Sequence, residues 1–511
     1  MKRLLIAATA LAPAACAGPD FQPPAPPDAA GYTAAPLPAR TASADAEAGA
    51  AQRLMPGRDI PTQWWELFRS DGLNELIKEA LAANPTVKAG EAALRAAHEA
   101  VEAQRGGFFP SIAAGFTSNR TKNAAGATSA ASTSGSAVAN LHTAQLTMSY
   151  SPDVWGGTWR QMESLEAQAE AQRFQLEATQ LTLAANVSLA AVNEAMLRGQ
   201  LTAQREIVRM AAGALDIQRK AFALGQIAEA DVAAQQALLA QAEAAQPPIE
   251  KQLAIQRDAL AALLGRLPGQ SPVQTFEFAL LHLPEDLPLS LPAALVRQRP
   301  DILQAEANLH MAAASVGVAI AARLPLVNLT ADMGSVASLI GGSDRGYSPA
   351  KIGLFTPGTG FWTLAGSISQ PLFDGFSLMH RQRAAEALFE QADAQYRNTV
   401  VVAFQNVADT LHSLHADAEA YRAAVAAQQA ADRNLSIVQR QLELGAVNHL
   451  ALLNAQQVAL QSRTTRLQAE AARFADSIQL FQALGGGWWN RPAAPVALDG
   501  MQGRSEGRGE P

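Results

Sequence analysis

Residues 400–425 read VVVAFQNVADTLHSLHADAEAYRAAV, and within them Val400, Phe404, Val407, Leu411, Leu414, Ala418, Tyr421 and Val425 recur at alternating spacings of four and three. That is the heptad spacing of a helix lying along another helix. A weaker apolar repeat (Leu183, Val187, Ala190, Leu197, Leu201, Val208) falls in Thr158–Ala223, a stretch without proline and with few glycines. As one helix it would run on the order of 100 Å, at about 1.5 Å per residue. No globular domain accommodates that length, so the pattern predicts helices assembled side by side along their axes.

The two seams belong to a duplication. Asn84-Pro85 before a helix-like stretch recurs as Arg299-Pro300, and Gly107-Phe108-Phe109-Pro110 at its end recurs as Ala322-Arg323-Leu324-Pro325, both 215 residues on. Tyr150-Ser151-Pro152 matches Ser369-Gln370-Pro371 at a shift of 219. Ala223-Leu224-Gly225 matches Glu443-Leu444-Gly445, and Leu263-Leu264-Gly265 matches Ala483-Leu484-Gly485, each at 220. Ordered landmarks at a nearly constant offset make the chain two copies of one unit of about 200 residues. Each copy reads as a helix (Asn84 to Gly107 in the first, with Leu94 and Val101 on one face), a strand, a polar loop, a strand, a very long helix broken at Leu-Gly, and a return helix ending at Leu-Gly. Glycine at those breaks permits the positive φ of a helix C-terminus.

Strands are expected near 110–120, 142–151, 326–335 and 361–370, with loops over Thr121–Asn140 and Ser335–Gly360. Ala144, Leu146, Met148 and Tyr150 alternate with Thr143, Gln145, Thr147 and Ser149. Val327, Leu329, Ala331 and Met333 alternate with Asn328, Thr330, Asp332 and Gly334. That alternation suits a strand between lipid and a watery lumen and equally a half-buried soluble sheet; a length of about 9–11 residues favours the former. Four such strands cannot close a barrel, since the smallest have about eight, and open edges are not tolerated in lipid. Three chains would supply twelve strands and a matching ring of long helices. The fold class expected is a mixed α and β membrane protein: a trimeric 12-stranded β-barrel, four strands per chain, continued by a long α-helical barrel.

A net charge of −7 argues against nucleic acid, and only 17% of the 511 residues are charged, against roughly a quarter in typical soluble domains. The N-terminus has Lys2 and Arg3, an apolar run Leu4–Ala12, and small Ala14 and Ala15 before the single cysteine, Cys16. This predicts a signal peptide over 1–15, its apolar core too short to span a bilayer. Cys16 in that setting resembles the acylated cysteine of bacterial lipoproteins, although Pro13 stands where leucine is usual. The expected plan is a lipid-anchored extended segment over 16–62, a first repeat over 63–288, a second over 289–489 and a disordered tail over 490–511.

Little in the chain suggests catalysis. His412 and His415 lie one turn apart without a third ligand nearby in sequence, and Gly358-Thr359-Gly360 lacks the strand–turn–helix setting of a nucleotide loop. Trp64-Trp65 and Trp488-Trp489 read as packing anchors. The expectation is a non-enzyme with no cofactor and no metal.

Ala17-Gly18-Pro19-Asp20-Phe21 with Pro23, Trp64-Trp65 through Phe68, Asp71 and Leu73, then Ala80-Leu81, Asn84-Pro85, Leu224-Gly225, Leu444-Gly445 and the closing Ala483-Leu484-Gly485-Gly486-Gly487-Trp488 stand in a telling order. With the duplication, they make the chain from Cys16 to Trp489 resemble the outer membrane factor family, the TolC-like exit channels of tripartite efflux systems, especially its lipoprotein type. The resemblance implies a homotrimer in the outer membrane, its periplasmic helical tips meeting an adaptor protein that is itself bound to an inner-membrane pump. It places the docking tips at Ala223–Ile227 and Glu443–Val447, with Leu224, Gly225, Leu444 and Gly445 at their centres. It places a pore constriction at Leu452-Leu453-Asn454-Ala455-Gln456, where Asn454 stands in for the family's aspartate and Leu450 lies one turn earlier. Asp231, past the first tip, could supply charge instead. Family members serve drugs and other small solutes, secreted proteins or heavy metals. A non-conducting, lipid-anchored coiled-coil scaffold is the rival of a different class.

Overall fold

A computed structural model of the chain describes residues 17–29, 31–122, 138–270, 272, 274–341 and 354–491. The expected signal peptide, Cys16 and the tail beyond Arg491 lie outside the described residues, as do 123–137 and 342–353 of the two expected loops. In chain order the elements are β1 (Arg53–Pro56), α1 (Asp71–Ala83), α2 (Pro85–Arg105), β2 (Ser111–Lys122), β3 (Val138–Tyr150), α3 (Gly157–Ala223), α4 (Glu229–Ala244), α5 (Gln246–Leu263), β4 (Asp286–Leu289), α6 (Pro292–Leu295), α7 (Pro300–Ala321), β5 (Leu326–Gly341), β6 (Gly360–Ser369), α8 (Ser377–Glu443) and α9 (His449–Ala483). Two compact units result. The first holds the described residues up to Pro24, Ala92–Arg173 and Gln304–Arg397; the second holds Ala25–Glu91, Phe174–Leu303 and the described residues from Asn398 on. Each unit thus draws on both sequence repeats.

The long helices are continuous: α3 and α8 each run 67 residues. Each is capped by an upstream aspartate, Asp153 accepting from the Trp159 N–H at 2.8 Å and Asp374 from the Leu378 N–H at 2.7 Å. A carboxylate there satisfies an otherwise orphaned donor and complements the helix dipole. Every apolar residue of the α8 seam is buried except Phe404, which is half-buried. The expected single return helix of the first copy is interrupted at Ala245, between α4 and α5, whereas α9 runs unbroken for 35 residues. Pro247 and Pro248 explain the difference, since each lacks an N–H and restricts the residue before it.

In the first unit, a single antiparallel sheet runs in the order β2-β3-β5-β6. Ser111 pairs with Ser149, Tyr150 with Leu329 and Leu326 with Ser369. The strands overrun the expected boundaries, with 12, 13, 16 and 10 residues, and β5 extends to Gly341 through part of what reads as loop. A ladder is held by backbone bonds, and the extension carries the strand formers Val336, Leu339 and Ile340 between its Gly, Ser and Ala residues. The residues after Cys16 are clamped in this unit. The Ala17 N–H donates to Trp155 O at 3.1 Å, and Arg160 donates to Ala17 O at 3.1 Å and pairs with Asp20 at 2.7 Å and Glu163 at 2.7 Å. Phe21 stacks on His310 at 4.4 Å. Gly18 is required here: a Cβ on it would lie 2.4 Å from Gly317 Cα.

The second unit holds the aromatic core. Trp64 stacks on Phe481 at 5.2 Å, Phe68 meets Phe474 at 6.2 Å, and Phe278 stacks on Phe474 at 5.7 Å. Burying each such side chain stabilises by about 1.5–3 kcal/mol. The tryptophans read as anchors are tied in place, with Trp488 Nε1 donating to Gln298 O at 2.8 Å and Trp489 Nε1 to Asp59 at 3.1 Å. The part of the expected extended N-terminal segment that falls in this unit is docked on it. Tyr32 donates to Ser290 O at 2.8 Å, Gln52 Nε2 to Ser477 Oγ at 2.9 Å and to Pro284 O at 3.0 Å, Tyr421 to Glu47 O, and Arg473 to Ala48 O and to Ala50 O. β1 then pairs in parallel with β4, Arg53 and Asp286 forming an ion pair at 2.7 Å. Asn490 and Arg491, expected in the tail, bond to Asp59 at 2.9 Å and Glu177 at 3.2 Å. Among the described residues, no helix is long and apolar enough to cross a membrane.

Candidate functional site

The four Leu-Gly corners share one geometry. At the first tip the Gln226 N–H donates to Ala221 O at 2.9 Å and the Gly225 N–H to Phe222 O at 2.8 Å; at the second, the Ala446 N–H donates to Gln441 O at 2.8 Å and the Gly445 N–H to Leu442 O at 3.0 Å. These paired bonds form the Schellman ending, which needs a residue at positive φ after the last turn. Gly225 and Gly445 supply it at φ 72° and 73°, and nothing lies within 4 Å of where a Cβ would sit. The same bonds close the corners at Gly265 and Gly485, but there the space is taken: a Cβ would meet Ala83 O and Gln298 O, each at 3.0 Å. Those corners are also pinned by equivalent side chains, Asn84 donating to Leu263 O at 2.8 Å and Arg299 to Ala483 O at 2.7 Å. Corners Gly225 and Gly445 are therefore open ends and corners Gly265 and Gly485 are packed roots.

Leu224 and Leu444 are 73% and 72% exposed. An apolar side chain at the same place on two successive helical ends is a surface feature with no packing role inside the chain. Beneath the second tip, Leu435, Ala431, Ala455 and Ala459 form a small apolar cluster with Val438 and Leu452. Beneath the first, glutamines do comparable work through backbone bonds, Gln235 to Ala211 O at 3.2 Å and Gln204 to Ala242 O at 2.7 Å.

The expected constriction residues are placed as follows. Leu450 and Asn454, four apart on α9, share an exposed helix face, while Ala455 and Gln456 turn into the hairpin seam. Asp231 is exposed too, but its carboxylate is engaged: it accepts the Ala228 N–H at 3.2 Å, capping the start of α4. In the second copy Asn448 performs that cap, accepting the Ala451 N–H at 3.0 Å. Higher on the same hairpins, Arg463 bonds Glu206 at 2.6 Å and Asp432 at 3.1 Å, joining α9 to both long helices. No sequence pattern pointed to this bridge.

A buried polar cluster beneath the docked N-terminal segment was also illegible in the sequence. Burial, with the hydrogen-bonded Asp417 beside it and against the pull of Arg473, pushes Asp476 up to about 8. Burial pushes Glu470 up to about 7 against the pull of Arg466. The Arg473 guanidinium lies 5.4 Å over the Tyr421 ring. Burial and the neighbouring His412 hold His415 below the usual histidine range. Among the described residues, no three His, Cys, Asp or Glu side chains are placed to hold a metal.

The sheet is the other functional surface. Its register places Ile112, Phe116, Leu146, Met148, Leu329, Met333, Trp362, Leu364 and Ile368 on one face, most of them well exposed, Trp362 at 80%. The other face carries Ser111, Thr117, Thr143, Gln145, Thr147, Ser149, Asn328, Thr330 and Thr363. Among the described residues, β2 and β6 are each paired along one edge only. An apolar face of this extent with two free edges needs lipid on the face and strands at the edges.

Comparison with known proteins agrees with this geometry. A family model described as outer membrane efflux protein matches twice, over residues 76–266 and 291–486. The chain is similar to the pyoverdine export outer membrane protein OpmQ of Pseudomonas putida, 28% identical over 84% of this chain and 89% of that one. It is likewise similar to the outer membrane protein OprJ of Pseudomonas aeruginosa, 29% identical over 87% and 90%. The fold is shared with the CmeC outer membrane channel of Campylobacter jejuni, with a TM-score of 0.80, 21% identity, and coverage of 92% and 95%.

Proposed function

The chain belongs to the outer membrane efflux protein family, and from that premise we propose that three copies form a passive exit duct through which an inner-membrane pump expels small solutes. The observation that carries this reading is the four-stranded sheet with one apolar face and two unpaired edges. Four strands cannot close in lipid, and twelve can. Cyclic repetition joins β6 of one copy to β2 of the next and leaves no edge. The four helical limbs of each chain continue the barrel as a ring of twelve into the periplasm.

The duct has no catalytic role and no cofactor; its work is to shape a path, and the energy comes from its partners. The open tips at Leu224-Gly225 and Leu444-Gly445 dock a periplasmic adaptor, the exposed leucines supplying apolar contact. Leu450 and Asn454 line the narrow periplasmic end, with Asp231 nearby in the first hairpin. A ring of amides at Asn454 narrows a pore without the charge of carboxylates. Cys16, next to the clamped Ala17, carries the lipid that ties the N-terminus to the outer membrane. A relative named for pyoverdine export favours small solutes over secreted proteins or metal ions as cargo.

Single-channel conductance of the purified protein in planar bilayers tests this, comparing the native chain with Asn454→Ala. Discrete pores that widen on substitution are expected. Folded protein giving no pores in either form would overturn the duct.

A further inference from the structure

We infer that Asp332 is the charge-selectivity residue of the outer-membrane section of the duct, an inference that rests on the trimeric barrel proposed above. Its position follows from the register. Asp332 pairs with Thr147 on β3 and with Thr363 on β6, so it lies on the polar face, while its neighbours Met333 and Trp362 lie on the apolar one. Among the described side chains of the sheet it is the only carboxylate or lysine/arginine on that polar face; Arg120, toward the far end of β2, alternates onto the opposite face.

The carboxylate is held rather than free to fold back. Thr147 Oγ1 donates to Asp332 Oδ1 at 2.7 Å, and Gln145 Nε2 donates to Thr147 Oγ1 at 3.2 Å. No cation neutralises it among the neighbouring positions of its face, which are Thr147, Thr330, Thr363 and Gly334. Small residues at Ala113, Gly115, Gly334 and Ala365 share that face, with Phe361 its one large ring beside Gly334 among the described residues. Asn454 makes the position more consequential, because the periplasmic stretch offers an amide and Asp231 is engaged in a helix cap. Of these three positions, Asp332 is the acid that makes no helix cap, and it sits in the barrel.

Threefold repetition turns one aspartate into a ring of three. Twelve strands spaced about 4.8 Å apart and tilted about 40° give a backbone radius of roughly 12 Å, placing each carboxylate roughly 9 Å from the axis. That is about one Debye length at 0.15 M salt and well within one at 0.01 M. Screened Coulomb energies at the axis then favour cations over anions about five-fold at 0.15 M and about thirty-fold at 0.01 M. The ring acts on the charge of what passes through without narrowing the passage.

The test reads the local potential directly and does not depend on whether the periplasmic end is open. With Cys16 the only native cysteine, Thr363→Cys places a reporter thiol across from Asp332. In outer-membrane vesicles its reaction rates with small cationic and small anionic methanethiosulfonates are compared, with Asp332 or with Asp332→Asn. The proposal expects both reagents to react and the cationic one to be favoured, with Asp332→Asn lowering that preference at least five-fold and more at low salt. Trp362→Cys, on the apolar face, should react slowly with either. A reactive thiol whose preference is unchanged by Asp332→Asn overturns this proposal and leaves the duct standing. A thiol at 363 that neither reagent reaches overturns the duct and this inference together.

Discussion

The four Leu-Gly corners share one backbone geometry but not one environment, and glycine-to-alanine substitution should separate them. An alanine forced to positive φ costs about 1–2 kcal/mol through its Cβ and the neighbouring carbonyl. At Gly225 and Gly445 that is the whole cost, because the added methyl meets open space. At Gly265 the methyl would lie 3.0 Å from Ala83 O and 3.1 Å from Pro85 Cδ; at Gly485 it would lie 3.0 Å from Gln298 O and 3.2 Å from the Trp489 ring. Those are rigid neighbours, one a backbone oxygen at each site, and crowding of this kind adds about 1–3 kcal/mol. The expected totals are about 1–2 kcal/mol at each tip and about 2–5 kcal/mol at each root. The assay is thermal unfolding of the purified protein in detergent, followed by circular dichroism at a fixed scan rate, with the four single variants side by side. In a chain of 511 residues each kcal/mol moves the midpoint by about 1 °C, so root variants should melt about 1–3 °C below tip variants. Tip variants as damaging as root variants would refute the division into open ends and packed roots.

Other expectations follow from the same geometry. Asp476 and Glu470, held at about 8 and about 7 in the folded chain, bind protons there that the unfolded chain has already lost. Their contribution is therefore full below about pH 4 and is lost as pH rises through those values. Unfolding midpoints should fall from about pH 4 to about pH 8 and level off above it, and Asp417→Asn, which removes the adjacent carboxylate, should flatten that fall. Leu224→Asp with Leu444→Asp should leave conductance in planar bilayers intact while abolishing solute resistance in cells; loss of both would mean the leucines hold the hairpins together rather than dock a partner. Leu364→Lys, on the apolar face of β6, should cost about 2–4 kcal/mol of barrel stability if lipid covers it, whereas a substitution without effect on heat-modifiable migration would place that face in water.

The sequence was most informative where structure follows from repetition. The heptad run Val400–Val425 located a buried seam, and the absence of proline from Thr158 to Ala223 located α3 to within one residue. Leu-Gly pairs marked all four helix ends because positive φ is a need that few residues meet. Strand alternation gave the faces correctly but not the ends, since β5 continues through Ser335–Gly341, where the strand formers Val336, Leu339 and Ile340 sit among small residues that read as loop. The β1–β4 pair was missed because four residues are too few for any periodicity. The break at Ala245 was written in Pro247-Pro248, yet the copy without prolines suggested one helix for both. Site residues were harder to read. Asp231 becomes a cap through a backbone N–H three residues away, and Asp417 on α8 meets Asp476 on α9 only once the two helices pair. Contacts between segments hundreds of residues apart leave no local trace.

The central claim is that the sheet closes only by pooling three chains, and cross-linking of its free edges tests it most directly. Ala113→Cys on β2 and Ala365→Cys on β6 place thiols on the polar face of the two unpaired strands. A flexible bis-maleimide, spanning two or three strand spacings of about 4.8 Å, is applied to membranes carrying the double variant. The account predicts a covalent ladder of two and three chains that ends at three, and none from either single variant. A ladder that runs past three, stops at two or does not form would contradict closure of the barrel by three copies.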